Sequence, residues 1–415
     1  MQTISSRFNR ILLYSWRMLH SYSFSNFRSF LERTEVSFAI TEKDSVNGWV
    51  RHSPISGQRL TTALAVLGPN ASGKTSLLQP LAFLGWFIRG SFSLAPEAAI
   101  PVIPHFNGAE NPSEFEVIAD GPEPDTVLRY QLTTTAQHIV SETLERKRGR
   151  GSWRPVFART LIGDDKYNVK QDDFGLAQAQ AEQVRRNVSL ISWAAQFGVE
   201  AAQQLTNFVL ATNLSVQGRR WLNPDETNWA TQLYAQNQAM QVRMRELLAQ
   251  WDLGLSDVAF HELTVPSQTG EQKKQWFPFG VHRDANENMH LLPFAHESSG
   301  TKAAFNLLAH FLAVLEGGGV IAFDELESDL HPHMLEPLLD LFSNETTNPH
   351  NAQIIFTCHS VEVLRLLQKS QTILVEKDGL QSHAWRLDSM EGVRADDNRV
   401  AKYLAGAYGA VPRLQ

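Results

Sequence analysis

Apolar and polar positions alternate early in the chain and gather into short continuous runs further on, and the change of period marks out the elements. Leu19–Phe30 alternates with period two, as a half-buried strand does, and Glu35–Ile40 repeats the pattern more briefly. Ala63-Leu64-Ala65-Val66-Leu67 is apolar throughout, which predicts a strand buried on both faces. A polar stretch with Gly48, Pro54 and Gly57 lies between them and reads as a loop or hairpin. Ser76–Ala82 has helical spacing, with Pro80 tolerable only within the first turn or so. Phe115–Ala119 and Val127–Thr133 predict a meander of strands.

From about Gln171 to Trp251 the pattern turns helical. Asp172–Val184, Leu190–Phe197 and Trp229–Trp251 are rich in Ala, Gln and Leu and poor in β-branched clusters. Their heptads are too irregular for a long coiled coil. Strand signals return at His261–Val265, a long helix covers Ala303–Leu315, and two buried strands end at Phe323 and near Thr357. No repeat of solenoid length is present.

Composition narrows the class. The 415 residues, 43% hydrophobic and 20% charged, suffice for a sizeable core. A net charge of −7 gives no global attraction to nucleic acid or anionic membrane, so any such contact is local. The single cysteine, Cys358, excludes internal disulfides and Cys-based zinc sites and suits a reducing, cytoplasmic setting. No apolar run reaches the ~20 residues that span a bilayer. In Met1–Arg17 the apolar patch Ile11-Leu12-Leu13-Tyr14 is too short for a signal-peptide core. That segment reads as an extension, with either Met1 or Met18 as the start.

The chemistry begins where the buried run Ala63–Leu67 ends. Gly68-Pro69-Asn70-Ala71-Ser72-Gly73-Lys74-Thr75 spells G-x-x-x-x-G-K-T between a strand and a helix, and Ser76 opens that helix. The glycines let successive N–H groups curl around a phosphate, and the helix N-terminus adds partial positive charge. Lys74 is placed to reach the β- and γ-phosphates and Thr75 to hold Mg²⁺. The pattern implies a nucleoside triphosphate, with no element that tells ATP from GTP.

Glu297-Ser298-Ser299-Gly300-Thr301-Lys302 precedes the long helix. It reads either as an ordinary N-cap or as a second anion-binding helix start. Val320-Ile321-Ala322-Phe323 then delivers Asp324 and Glu325 at the end of a strand, a Walker B pattern. Asp324 suits a role toward Mg²⁺, and Glu325 suits activation of the attacking water. Gln353–Thr357 repeats the logic and releases His359, which can meet the γ-phosphate and the water-activating carboxylate. Cys358 reads as a small apolar filler. Arg146, Lys147, Arg148 and Arg150, with Trp153 and Arg154, form either a solvated hairpin tip or a local clamp on nucleic acid.

In this order the motifs resemble an ABC-type ATPase head of the RecF/SMC/OLD branch. Asn26-Phe27-Arg28-Ser29-Phe30 is similar to the opening strand of such heads. Glu297–Lys302, Phe323–Pro332 and the ending Tyr403–Pro412 resemble the AbiL-type ATPases of bacterial abortive infection. The resemblance spans about Leu19 to Leu414. It implies an α/β fold: a P-loop NTPase head with a mixed sheet flanked by helices, a β-meander and an inserted helical subdomain. It implies ATP and Mg²⁺ as cofactors and Glu325, His359 and Lys74 as the catalytic set. It also implies a homodimer or larger homo-oligomer in which Ser298, Ser299 and Gly300 of one copy cap the nucleotide on the phosphate loop of another. Glu327–Pro332 would be the D-loop at that seam. Glu297–Lys302, which stands at the place of the ABC signature, lacks the Leu-Ser-Gly-Gly-Gln of transporters, and the glutamine that senses Mg²⁺ in many heads has no assigned position here.

The expected division is 1–17 as an extension, 18–170 as an N-lobe with phosphate loop and meander, 171–260 as a helical insertion, and 261–415 as a C-lobe. The expected function is an ATP-hydrolysing sensor or regulator in an anti-phage system, with an effector protein from a neighbouring gene and no membrane partner. The alternative is a RecF-like DNA-binding repair ATPase.

Overall fold

The computed structural model describes residues 18–40, 48–53, 55–123, 125–163, 165–217, 226–251, 253–266, 272–328, 330–394 and 396–412. The extension 1–17, and with it the choice of start, lies outside the described residues, as do Pro54 and Asp329.

The alternating N-terminal segment folds as β1 (Leu19–Ser25), shorter than its pattern suggested. Asn26 and Arg28 then take left-handed backbone, with φ of 50° and 56°. Asn26 Nδ2 donates to the carbonyls of Gly108 and Asn111, so side-chain bonds replace the ladder and close a loop. β2 (Thr34–Ser37) pairs antiparallel with β1, and β3 (Val50–His52) with β4 (Arg59–Thr61) forms the expected hairpin. β5 (Ala63–Leu67) leads into α1 (Lys74–Gly90).

Pro80 lies inside α1, beyond the first turn where the pattern had put its limit. An interior proline costs about 3 kcal/mol through the lost N–H bond and its clash with the preceding turn. The helix continues because Leu77, Leu78, Leu81, Phe83, Leu84 and Phe87 are all buried along it. Burying side chains of this kind contributes roughly 1.5–3 kcal/mol each, which outweighs the defect.

The meander is β6 (Ser113–Asp120), β7 (Thr126–Thr134), β8 (Ile139–Arg148), β9 (Arg154–Gly163) and β10 (Lys166–Gln171). Among the described residues it joins β1 and β2 in a seven-stranded antiparallel sheet, ordered β10-β9-β8-β7-β6-β1-β2. The stretch expected as a helical insertion contains α2 (Gln178–Ala181), α3 (Leu190–Gln196), α4 (Glu200–Thr206), then β11 (Leu210–Thr212), then α5 (Glu226–Gln236) and α6 (Gln238–Gln250). β12 (Asp257–Pro266), β13 (Gln272–Arg283) and β14 (Met289–Pro293) make a small antiparallel sheet. α7 (Ser299–Gly317), β15 (Val320–Phe323), α8 (Leu335–Ser343), β16 (Gln353–Thr357), α9 (Val363–Leu366), β17 (Thr372–Asp378), β18 (Gln381–Arg386) and α10 (Arg399–Leu404) complete the chain.

The helical stretch is therefore split. α3 and α4 pack on α1, α5 and α6 pack on α7, and β11 between them joins the central sheet. A buried carboxylate helps fix the first part. Glu142 of β8 accepts hydrogen bonds from the Tyr130 and Ser189 hydroxyls and from the Leu190 N–H at the start of α3. Burial pushes its carboxyl up, while the nearby Arg159 guanidinium opposes the shift.

The central sheet runs β11-β15-β16-β5-β17-β18, parallel except for β18. It divides two cores, because successive side chains on a strand face opposite ways. Leu64, Val66, Val320, Ala322 and Ile355 pack with α1 and the meander. Ala65, Leu67, Ile321, Phe323, Ile354 and Phe356 pack with α7 and α8. This explains the unbroken apolar runs at β5 and β15 and the run Ile354–Phe356 within β16. Gln353, fully buried, accepts from the Leu19 N–H and donates to the Leu19 and Thr61 carbonyls, tying β1 to the central sheet. The expected α/β class, with a mixed sheet flanked by helices and a β-meander, is the one observed. Among the described residues, no helix is long and apolar enough to cross a membrane.

Candidate active site

Parallel strands place their carboxyl ends along one edge of the sheet, and ligands of open α/β sheets bind there. β5, β15 and β16 end on that edge in Gly68, Asp324 and Cys358-His359, so three distant stretches of sequence meet.

The loop Gly68–Gly73 turns back under two neighbours. A Cβ on Gly68 would lie 2.2 Å from the Val375 carbonyl oxygen, so only glycine permits that approach. Gly73 has φ 110°, and a Cβ there would lie 2.4 Å from Ser382 Oγ. Ser382 holds the loop from behind, donating to the Ser72 carbonyl (2.6 Å) and lying 2.8 Å from the Ser29 hydroxyl. Neither serine was singled out in the sequence, although Ser29 belongs to the quoted opening segment. Pro69, Asn70 and Ala71 form the outer turn, with Ala71 left-handed at φ 61°.

Inside the loop, Lys74 Nζ donates to the carbonyls of Gly68 (2.9 Å) and Pro69 (3.0 Å). Burial pulls its pKa down, opposed by the carboxylates of Asp324, Glu325 and Glu327. The Ser72 hydroxyl is buried and has no hydrogen-bond partner among the described residues. A glycine-cradled loop with an orphaned hydroxyl and a desolvated cation fits an oxyanion ligand. Thr75 and Ser76 are the second and third residues of α1, where free N–H groups and the helix dipole converge.

Thr75 Oγ1 donates to Asp324 Oδ2 at 2.9 Å across 249 positions of sequence. The other oxygen, Oδ1, accepts from Thr357 Oγ1 at 2.7 Å. Thr357 Oγ1 in turn accepts the Glu325 N–H at 2.7 Å, so the last residue of β16 orients both acids. Asn213, next after β11, clamps the Asp324 backbone by donating to its carbonyl and accepting its N–H, both at 2.8 Å. Asn213 carries no motif of its own, and only the strand order β11-β15-β16 reveals it; Thr357 opens the run Thr357-Cys358-His359-Ser360, but its hold on the two acids shows only in the structure. The pairing of a hydroxyl with a carboxylate fits a hard divalent cation such as Mg²⁺, which keeps several waters and takes few protein ligands.

Glu325 adopts left-handed backbone at φ 51°, uncommon for a residue other than glycine. Its Oε1 lies 3.9 Å from His359 Nε2, and its Oε2 accepts from the Ser328 hydroxyl at 3.2 Å. The sequence-selected pair is thus brought together. Cys358 beside them is fully buried, and burial pushes its thiol far above the ordinary range. It is the unactivated filler that the sequence led one to expect, with nothing here that lowers its pKa below the ordinary value.

Ser298 caps α7 through its Oγ, which accepts the Thr301 N–H at 3.0 Å; Ser299 and Gly300 open the helix. The buried Glu297 before them lies 2.8 Å from His282 Nε2 and packs over Gly280 of β13, anchoring the segment to the small sheet. The bonds of Ser298 are thus made within its own helix start.

The basic segment sits at the tip of the β8–β9 hairpin, beside a cleft of about 390 Å³ lined by Arg146, Arg148, Gly151, Ser152, Arg154 and Asp172. Arg146 and Arg148 share the Glu123 carboxylate, at 3.8 and 2.5 Å. Trp153, weighed as a stacking platform, lies under the Arg129 guanidinium at 4.6 Å. The hairpin's charges are therefore partly neutralised within the chain.

A family model described as "AAA domain, putative AbiEii toxin, Type IV TA system" matches residues 64–365, well over half of the chain. No curated protein matches the sequence. Solved structures that match the chain include an SMC head bound to the C-terminal winged-helix domain of ScpA, at 13% identity and a TM-score of 0.46. That match covers 89% of this chain and 98% of the other. An SMC head domain from Thermotoga maritima matches at 12% identity and 0.42, covering 89% and 98%. An SMC head with an extended coiled coil, bound to the C-terminal domain of ScpA and derived from Pyrococcus furiosus, matches at 11% and 0.44, covering 90% and 97%.

Proposed function

We propose that this chain, which belongs to the AAA-domain family that includes AbiEii-type proteins of type IV toxin–antitoxin systems, binds and hydrolyses ATP and reports its nucleotide state through the geometry of a homodimer. One observation carries this reading: Asp324 stands between Thr75 of the phosphate loop and Thr357 of β16, with Glu325 and His359 alongside.

In this reading Lys74 exchanges its two loop carbonyls for β- and γ-phosphate oxygens, and the Gly68–Ser76 N–H groups and the Ser72 hydroxyl complete the cradle. Thr75 and Asp324 would hold Mg²⁺, which when bound would supply positive charge against the phosphates. Glu325 accepts the proton of the attacking water at Oε1, the oxygen facing His359, and becomes neutral, while His359 stabilises the charge that gathers on the γ-phosphate. Ser298, Ser299 and Gly300 of a second copy present the α7 N-terminus to the γ-phosphate. Such a composite site is complete only in a dimer.

The biological role we assign is a cytoplasmic regulator in an anti-phage system that acts on a separately encoded effector. It rests on the family and on the quoted likeness to abortive-infection ATPases. The RecF-like alternative would use Arg146, Lys147, Arg148 and Arg150 on DNA, and the pairing of two of these with Glu123 weakens it. Phosphate release and molecular mass are to be measured for the purified chain with Mg-ATP. Release together with a dimer is expected, and neither appearing overturns the ATPase reading. Robust cleavage of DNA or RNA by the chain alone would overturn the separate effector. Micromolar DNA binding lost on neutralising the four basic residues would favour repair.

A further inference from the structure

The turn after β15 presents a second acid that the sequence analysis placed only as part of a D-loop. Its backbone is tightly closed: the Ser328 N–H donates to the Glu325 carbonyl at 3.0 Å, and the Leu326 N–H to the Thr357 carbonyl at 3.1 Å. This closure aims Glu327 at the end of β16, where its Oε1 accepts the backbone N–H of His359.

The position of that amide matters. The preceding N–H, of Cys358, still reaches the Val66 carbonyl of β5 at 3.1 Å. Glu327 takes up the next one, so the backbone that carries the imidazole is held by a side chain of the neighbouring turn. The second oxygen, Oε2, is buried, and the carboxylate also lies beside the Cys358 thiol, whose pKa it helps to raise, and near the Lys74 ammonium. Glu327 therefore meets the strand end that carries His359 at two points, the His359 N–H and the side chain before it. The same turn carries Glu325, whose Oε1 faces His359 at 3.9 Å.

We propose that Glu327 is a positioning residue for hydrolysis: it anchors the His359 backbone so that the imidazole faces Glu325, and it makes the histidine move with the 325–328 turn. This rests on the reading that the site hydrolyses ATP.

Two measurements test it. Amide hydrogen exchange at 358–360, in nucleotide-free protein, reads the anchor without any activity. Glu327→Ala should speed exchange of the His359 amide by roughly tenfold or more, and Glu327→Gln, which keeps an acceptor oxygen, should leave it within about threefold. Steady-state hydrolysis reads the consequence. Glu327→Ala should lower kcat roughly 10- to 100-fold with KM little changed, and Glu327→Gln should restore most of it. In a His359→Ala background the same Glu327→Ala change should cost less than about twofold, since residues acting as a unit are not additive.

Unchanged protection in Glu327→Ala, or a full kcat loss that persists without His359, overturns the proposal. If Glu327→Ala does not fold, slow amide exchange with normal kcat in Glu327→Gln supports the anchor, and fast exchange in that variant overturns it. Should the wild-type chain not hydrolyse ATP at all, the functional reading fails, and the exchange experiment still decides whether Glu327 holds His359.

Discussion

Replacing Glu325 by glutamine isolates the task of a single carboxylate. The side chain is 46% exposed, with one oxygen near His359 and the other on the Ser328 hydroxyl. Glutamine has the same shape and can still accept from Ser328, but its amide cannot take up a proton. The change at this half-exposed position should alter stability by no more than about 0.5 kcal/mol. A positioned general base contributes roughly 10²- to 10⁴-fold in rate. At 1.36 kcal/mol per tenfold, the variant should lose about 2.7–5.4 kcal/mol of transition-state stabilisation. Binding should persist, because Lys74 and the loop are untouched and one negative charge near the phosphates is gone. Phosphate release under single-turnover conditions measures the first effect, and thermal unfolding with and without Mg-ATP the second. At ATP concentrations a hundred times Kd, bound nucleotide should add about 2.7 kcal/mol of stability to wild type and variant alike. Hydrolysis within about threefold of wild type would mean that water is activated elsewhere. Loss of the ATP-dependent stabilisation would mean that Glu325 holds the nucleotide rather than the water.

Lys74→Ala removes the cation from the loop and should weaken ATP binding by roughly 10- to 100-fold, since hydrogen bonds to charged groups contribute about 1.5–3 kcal/mol; unimpaired affinity by calorimetry would refute the phosphate-loop assignment. Ser298→Ala removes the α7 cap, which should cost about 1 kcal/mol of stability. It should also weaken the proposed ATP-dependent dimer when mass is measured by light scattering, and an undiminished dimer would count against a cap supplied by the second copy. Cys358 should resist alkylation in the native protein across neutral pH, because burial raises its thiol pKa and only the thiolate reacts. It should react promptly once unfolded in urea, and rapid native labelling detected by mass spectrometry would contradict its buried setting.

The elements that sequence reasoning located best are those whose neighbours do not matter to their pattern. β5 matches the apolar run Ala63–Leu67 residue for residue, and β15 matches Val320–Phe323, because strands buried on both faces have no alternation to misread. The phosphate loop was legible because its geometry demands glycine at fixed offsets. Pro80 was misjudged from local rules, since tertiary burial of α1 decided its fate. The inserted stretch hid β11 because a three-residue strand leaves little periodic signal, and its value lies in pairing with Val320–Ala322. In the site, Asp324, Glu325 and His359 were found from strand-end logic. Asn213, Thr357 and Ser382 were not, because each acts by reaching a residue over a hundred positions, or at least thirty, away. An Asn or Thr at a strand end is too common to signal such a role.

The strand order of the central sheet also sets a timetable for synthesis. Among the described residues β5 pairs only with β16 and β17, and both come late in the sequence. With translation at ~5–20 residues per second, the 249 positions between Thr75 and Asp324 mean that the phosphate loop leaves the ribosome roughly 12–50 s before its carboxylate. During that interval an apolar strand stands with both edges open, a target for chaperones and for aggregation. The same delay is protective. A chain interrupted before residue 324 holds the loop but not the acids, so an unfinished copy lacks half of the proposed site.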